Sequence, residues 1–350
     1  MATGKTVFVV GAGASYEMGL PVGEKLKEQI SDMLTFRQIE GHYSARVQDN
    51  VIYEAQRIAD SWRIPEVTMQ KTIQASAHMA HALPLTLSID NYLHNHNGDK
   101  AVEVCGKLAI VRAILAAESN SSLYKPSDRI MIDFNDCSKA WLVPFMQLLS
   151  EDCNLDRLRE RLSNVVFIVF NYDRCIEQFM LHAIMAIYKV EPRVAAEIVS
   201  WIEIYHPYGT VGELPWHTEL DELDVTIDFG GTPDGAKLLE LIKGIKTFTE
   251  GTDDSSSDII AIRRSIVEAD RIVFLGFAYH RLNMQLLTGD EPARQLTRRV
   301  FGTAYGMSNS DTQLVNEALG NRLNAPSIAI KNDLTCFKLF HEFSRTLSFV

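Results

Sequence analysis

An α/β fold, a Rossmann-like parallel sheet with a large helical insertion, is predicted by three features of this 350-residue sequence. Short runs of β-branched and other apolar residues recur at Thr6–Val10, Val165–Phe170 and Arg271–Leu275 with no polar alternation. Such runs are strands buried on both faces, as in a parallel sheet. Each ends in a glycine-rich or polar turn, and helical periodicity resumes beyond it; alternating strands and helices build βαβ units. Finally, residues from about 35 to 162 show mainly helical spacing and no repeat. The chain therefore reads as a single domain over 1–350. Its Rossmann-like core covers about 5–34 and 163–335, and the insertion about 35–162.

Taken in order, Thr6–Val10 leads into the turn Gly11-Ala12-Gly13-Ala14-Ser15. After Gly19-Leu20-Pro21, Leu26, Ile30, Met33 and Leu34 fit one helix face. In the insertion, Val104, Leu108, Val111 and Leu115 mark a helix over Ala101–Glu118. Ser88 looks like a cap before Ile89-Asp90-Asn91, and His94–Gly98 like a turn. The second strand ends at Asn171-Tyr172-Asp173, and a helix follows with Ile176, Phe179, Met180, Ala183, Ile184 and Ile187 on one face. Trp201–Tyr205 reads as a third strand, ending at His206-Pro207-Tyr208-Gly209. Acidic, turn-rich stretches follow at Glu219–Asp228 and Gly251–Asp258, the second read as a mobile loop. Ile259–Ala269 is a helix, Arg271–Leu275 a strand and Gly276–His280 a turn; Arg299–Ala304 and Ser327–Ile330 are further strands.

Composition narrows the classes. Apolar residues make up 46% and charged residues 23%, a globular mixture. A net charge of −11 argues against direct nucleic-acid binding, yet backbone N–H groups can still hold an anionic small ligand. The five cysteines, Cys105, Cys137, Cys153, Cys175 and Cys336, form no CxxC pair. A zinc site or disulfide framework is not expected, and reduced thiols fit a cytoplasmic setting. No run of about 18 apolar residues would span a membrane.

Four turns carry possible chemistry. In Gly11–Ser15, glycines after a strand allow close approach to a pyrophosphate, or simply make a tight strand-to-helix turn; the GxGxxG pattern fails because Tyr16 takes the third glycine position. Asn171 suits a ribose or a water, and Asp173 a carboxamide N–H, although Asp173 also stands where a helix cap belongs. His206, at a strand end, can exchange a proton near neutrality or be a hydrogen-bonded loop histidine. Gly276-Phe277-Ala278-Tyr279, with Asn283 beyond, offers a second close-approach turn for an adenosine half, or an ordinary turn. Asp90 is a lesser candidate that equally suits a helix start. His94 and His96 lack a carboxylate or cysteine partner and read as loop residues, so no metal is expected. All four turns fall on one edge of one sheet, where α/β proteins bind ligands.

These motifs resemble those of the sirtuin-like superfamily. Gly11-Ala12-Gly13-Ala14-Ser15 with Gly19-Leu20-Pro21 resembles the sirtuin opening, GAG-x-S then G-[IL]-P. Phe170–Asp173 resembles the bacterial T-N-Y-D form, His206–Gly209 the segment with the catalytic histidine, and Gly276–Tyr279 the late G-F-[GA]-Y turn. The four occur in family order and bracket roughly residues 5–305. Two departures stand out: the paired CxxC zinc module is missing, and Val22-Gly23-Glu24 replaces the D-F-R of deacylases. Both point to the NAD-hydrolysing branch of bacterial anti-phage systems. The resemblance implies an NAD glycohydrolase, with NAD as substrate, whose output is NAD depletion and arrest of an infected cell. It implies candidate catalytic roles for Asn171, Asp173 and His206. NAD binding would fall to Gly11, Ala12, Gly13, Ala14, Ser15, Gly276, Phe277 and Asn283. An enzyme that consumes NAD has to be held in check by assembly or by another chain, which predicts a homo-oligomer; the resemblance implies a HerA-type ATPase or an Argonaute-like protein as the partner. The alternatives are a non-catalytic NAD or ADP-ribose sensor, and an ADP-ribosyltransferase or deacylase.

Overall fold

The computed structural model describes residues 4–39, 42–218, 224–248, 256–289 and 298–350. Six strands form one all-parallel sheet: β1 (Thr6–Val10), β4 (Val165–Val169), β5 (Glu203–Tyr205), β6 (Arg271–Leu275), β7 (Arg299–Thr303) and β8 (Ser327–Lys331). Their spatial order is β5-β4-β1-β6-β7-β8. Numbered along the chain within this sheet, that is 3-2-1-4-5-6, the doubly wound order of dinucleotide-binding folds. The fold class is the α/β Rossmann-like one with helical insertions.

The strands form because both their faces are covered. All five residues of β1 and of β4 are buried. Side chains alternate across the sheet: Val7, Val9, Val166, Ile168, Ile272 and Phe274 enter one core. Phe8, Val10, Phe167, Val169, Val273 and Leu275 enter the other. On the second face Phe8 stacks on Phe167 at 5.3 Å and meets Phe145 edge-on at 5.4 Å.

The helices, in order, are α1 (Ala12–Tyr16), α2 (Gly23–Leu34), α3 (Asn50–Ser61), α4 (Met69–Ala82), α5 (Ile89–Asn95), α6 (Lys100–Ser119), α7 (Leu142–Ser150) and α8 (Leu155–Leu162). They continue with α9 (Cys175–Tyr188), α10 (Pro192–Val199), α11 (Gly235–Leu241), α12 (Ser257–Glu268), α13 (Arg281–Thr288), α14 (Asn309–Leu323), α15 (Cys336–Glu342) and α16 (Ser344–Leu347). Helices α7 to α10, which precede β4 and β5, supply the Phe8 face, and α12 to α14 the Val7 face. The winding changes face between β1 and β6, which defines the switch point.

Several boundaries differ from the sequence expectation. Gly11–Ser15 is not a plain turn: Gly11 is extended and a one-turn helix starts at Ala12. The insertion is mainly helical but includes an antiparallel pair, β2 (Phe36–Ile39) and β3 (His42–Val47). Strands this short with polar residues in both phases carry little period-two signal. Helices α2 to α6 share the Val7 core, whereas α7 and α8 pack in the Phe8 core as flanking helices of the sheet. The core also runs past 335, because Cys336, Leu339, Phe340, Leu347 and Phe349 join Phe8 and Phe167. The third strand is three residues, not five. His94 and Asn95 close α5 rather than opening a turn. Residues 219–223 and 251–255 of the two acidic stretches lie outside the described residues.

Candidate functional site

The four turns singled out in the sequence gather at the C-terminal ends of β1, β4, β5 and β6, astride the switch point. The turns after β1 and β6 touch backbone to backbone. The Gly11 amide donates to the Leu275 carbonyl at 2.9 Å, and the Gly13 amide to the Gly276 carbonyl at 3.0 Å. A Cβ on Gly11 would fall 2.6 Å from the Gly276 oxygen, and one on Gly13 2.8 Å from the Gly276 Cα. Gly11 and Gly13 are thus required by this contact without reference to a ligand. Gly276 has φ +55°, and a Cβ there would sit 2.0 Å from the Ala14 nitrogen. Gly276→Ala is expected to destabilise the fold by about 1–2 kcal/mol for the left-handed backbone and about 1–3 kcal/mol for the overlap. Thermal denaturation checks this; an unchanged midpoint would remove the turn contact as a stabilising element.

Ser15, Asn171 and His206 form one chain of hydrogen bonds, with Asp173 beside it. Asn171 Nδ2 donates to Ser15 Oγ at 2.9 Å. The Asp173 carboxyl accepts from the Cys175 amide at 3.2 Å, and the Ser15 hydroxyl stands close enough to it to lower its pKa. Asp173 is therefore the acceptor that opens α9. Burial pushes the Asp173 carboxyl up, and the Cys175 and Ser15 donors and the nearby His206 only partly offset it. His206 Nδ1 lies 3.2 Å from the Asn171 carbonyl oxygen, and its Nε2 lies 2.8 Å from Glu177 Oε1. Both partners are acceptors.

Residues from outside the motifs complete the surroundings. Glu177 is on the first turn of α9. Arg174, between Asp173 and α9, makes a fully buried two-point pair with Glu118 of α6: Nη2–Oε2 is 2.5 Å and Nε–Oε1 3.1 Å. Asp90 on α5 accepts from the Tyr172 hydroxyl, which brings the inserted module onto the Asn-Tyr-Asp turn. Asn283 is engaged by Tyr208, whose hydroxyl donates to its Oδ1 at 2.6 Å. Phe277 is buried, 5.1 Å from the Phe170 ring, so its side chain belongs to the core. His96 stacks on Tyr92, and His94 meets Phe248 edge-on.

A cavity of about 600 Å³ opens beside this chain, its lining including Arg174, Glu177, His206, Trp216, His217 and Lys243. Its volume is that of a small-molecule site. It meets the His206 end of the chain and not the glycine turns. Among the described residues, no group of three or more His, Cys, Asp or Glu could hold a metal ion. None of the described helices is long and apolar enough to cross a membrane. All five cysteines are buried free thiols.

No protein-family model matches the chain, and no curated protein matches it significantly.

Proposed function

We propose that the chain is an NAD glycohydrolase, releasing nicotinamide and ADP-ribose, and that it serves as an anti-phage effector by depleting NAD. One observation carries this reading: Asn171 joins Ser15 and His206 by hydrogen bonds across the strand ends of a 3-2-1-4-5-6 sheet, with the Asp173 carboxyl beside them. NAD would lie across these ends, its pyrophosphate against Gly11–Ser15 and its adenosine half toward Gly276, Phe277 and Asn283. The cavity beside His206 offers room for the other end. The C1′–N bond of the nicotinamide ribose breaks, nicotinamide leaves with the bonding electrons, and water adds at C1′. Such a site has to stabilise oxocarbenium character and accept the water proton. Asn171 would hold the ribose and the water, Asp173 would orient the carboxamide, and His206, in the form that has shed one of its two protons, would take a proton from the reacting group that replaces one of its two acceptors. We propose further that activity is controlled by homo-oligomer assembly or by a HerA-type ATPase or Argonaute-like partner.

The sensor reading draws on a different observation. Both His206 nitrogens already face acceptors, a state suited to binding without turnover. Chromatography of NAD incubated with the protein, alone and with the product of its neighbouring gene, separates the two. Nicotinamide and ADP-ribose are expected, with His206→Ala lowering the rate by about 10²–10⁴-fold. Undiminished NAD with calorimetric binding supports the sensor, and neither turnover nor binding overturns both.

A further inference from the structure

We infer that Glu177 is the positioning residue of this site, holding the His206 ring with both N–H groups donating and so fixing Asn171 from behind. A neutral imidazole has one N–H and one lone pair. Here one nitrogen faces the Asn171 carbonyl at 3.2 Å and the other the Glu177 carboxylate at 2.8 Å. Only the imidazolium satisfies both. The His206 and Glu177 side chains are 10% and 8% exposed, so little water competes. Glu177 is the third residue of α9, four residues beyond Asp173 on the preceding turn. Its second oxygen, Oε2, is buried and without a hydrogen-bond partner. That arrangement costs stability and is rare unless the group has a task.

The surrounding charges agree with this arrangement. His206 is faced by Glu177 on α9 and by Asp173 on the turn before it. Nearby, His217 pairs with Glu213 at 2.6 Å, and Arg174 is committed to Glu118. Burial pulls the His206 ring down, but Glu177, the Asn171 carbonyl and Asp173 outweigh it and raise it above an ordinary histidine. Burial pushes Glu177 up, but His206 and His217 outweigh it and hold it below the usual carboxylate range. The sign follows from linkage. The contribution of Glu177 is present above an ordinary glutamate value and lost as pH falls through its lowered value. That of His206 is present below an ordinary histidine value and lost as pH rises through its raised one. The pair is intact in the window between.

The inference rests on the hydrolase reading only for its kinetic half. In NMR titrations of histidine-labelled protein, assigned by difference from His206→Ala, the wild-type His206 midpoint is expected above that of a free histidine. Glu177→Gln should bring it down, because burial then acts unopposed, and Glu177→Asp should restore part of the shift. Equal midpoints in wild type and Glu177→Gln overturn the inference whether or not NAD is hydrolysed. Where wild type hydrolyses NAD with His206 as the base, Glu177→Gln should lower kcat with little change in KM and move the acid limb of the rate profile, where His206 takes up its second proton, to lower pH. The loss should be smaller than the about 10²–10⁴-fold expected for His206→Ala. Wild-type kinetics in Glu177→Gln also overturn the inference. A wild type without turnover sinks the hydrolase reading and leaves the titration to decide Glu177.

Discussion

Glu118→Ala is expected to destabilise the folded chain by about 3–5 kcal/mol, the cost of leaving a buried partner charge uncompensated. Glu118 and Arg174 are 0% and 1% exposed. The Glu118 carboxylate accepts from Arg174 through Nε, Nη2 and the main-chain amide, and from the Gly230 amide at 2.9 Å. Arg174 in turn donates to the carbonyls of Ile227 at 2.7 Å, Asp228 at 3.2 Å and Gly212 at 3.3 Å. Removing the carboxylate strands a guanidinium with no solvent and frees the Gly230 amide. It also unties the end of α6 from the start of α9, where Asp173 and Glu177 stand. Chemical denaturation reads the effect as a lower midpoint at constant slope. Replacing both members, Glu118→Met with Arg174→Leu, should cost less than Glu118→Ala alone, since neither charge then remains buried. A single variant within about 0.5 kcal/mol of wild type, the range of a surface substitution, would show that the pair does not hold the turn.

The parts of the fold that could be read in the sequence are those whose signal is local. Thr6–Val10 and Arg271–Leu275 have the bounds expected for them because burial on both faces leaves unbroken apolar runs. The Glu118–Arg174 pair has no local signal: the partners are 56 residues apart, and each alone reads as a surface charge. Glu177 did leave a trace, as an acidic residue in α9, whose first eleven residues are all buried. A charge in such a helix needs a partner, and His206 is that partner. Asp173 was legible as either cap or site residue, and the structure makes it the hydrogen-bond acceptor of the Cys175 amide, beside Ser15 and His206. Gly11 and Gly13 were read for a phosphate or for a tight strand-to-helix turn, and neither reading could name the turn after β6, far along the chain, whose close approach also demands them. The fate of α7 and α8 was equally non-local, since helical periodicity shows that a face is buried and not which core receives it.

Asn171→Ala is expected to lower the rate of NAD hydrolysis by about 10²–10³-fold, the cost of one preorganised hydrogen-bonding group at a reacting centre. The side chain is half-buried, and its amide donates to Ser15 Oγ. Truncation leaves the Asn171 carbonyl in place, so the contact to His206 survives. Asp173 keeps its bond from the Cys175 amide, so no buried charge is exposed. The fold should therefore remain within about 1 kcal/mol of wild type, the scale of one neutral hydrogen bond. The loss should appear in kcat rather than in NAD affinity, because an interaction used chiefly in the transition state adds little to ground-state binding. Calorimetry and steady-state rates on the same preparation separate these quantities. A variant that binds NAD normally and turns it over slowly assigns Asn171 to the reacting end of the substrate. A variant with weakened binding and an unchanged kcat would move Asn171 to ground-state recognition, and leave Ser15 and Asp173 as the residues that face the ribose.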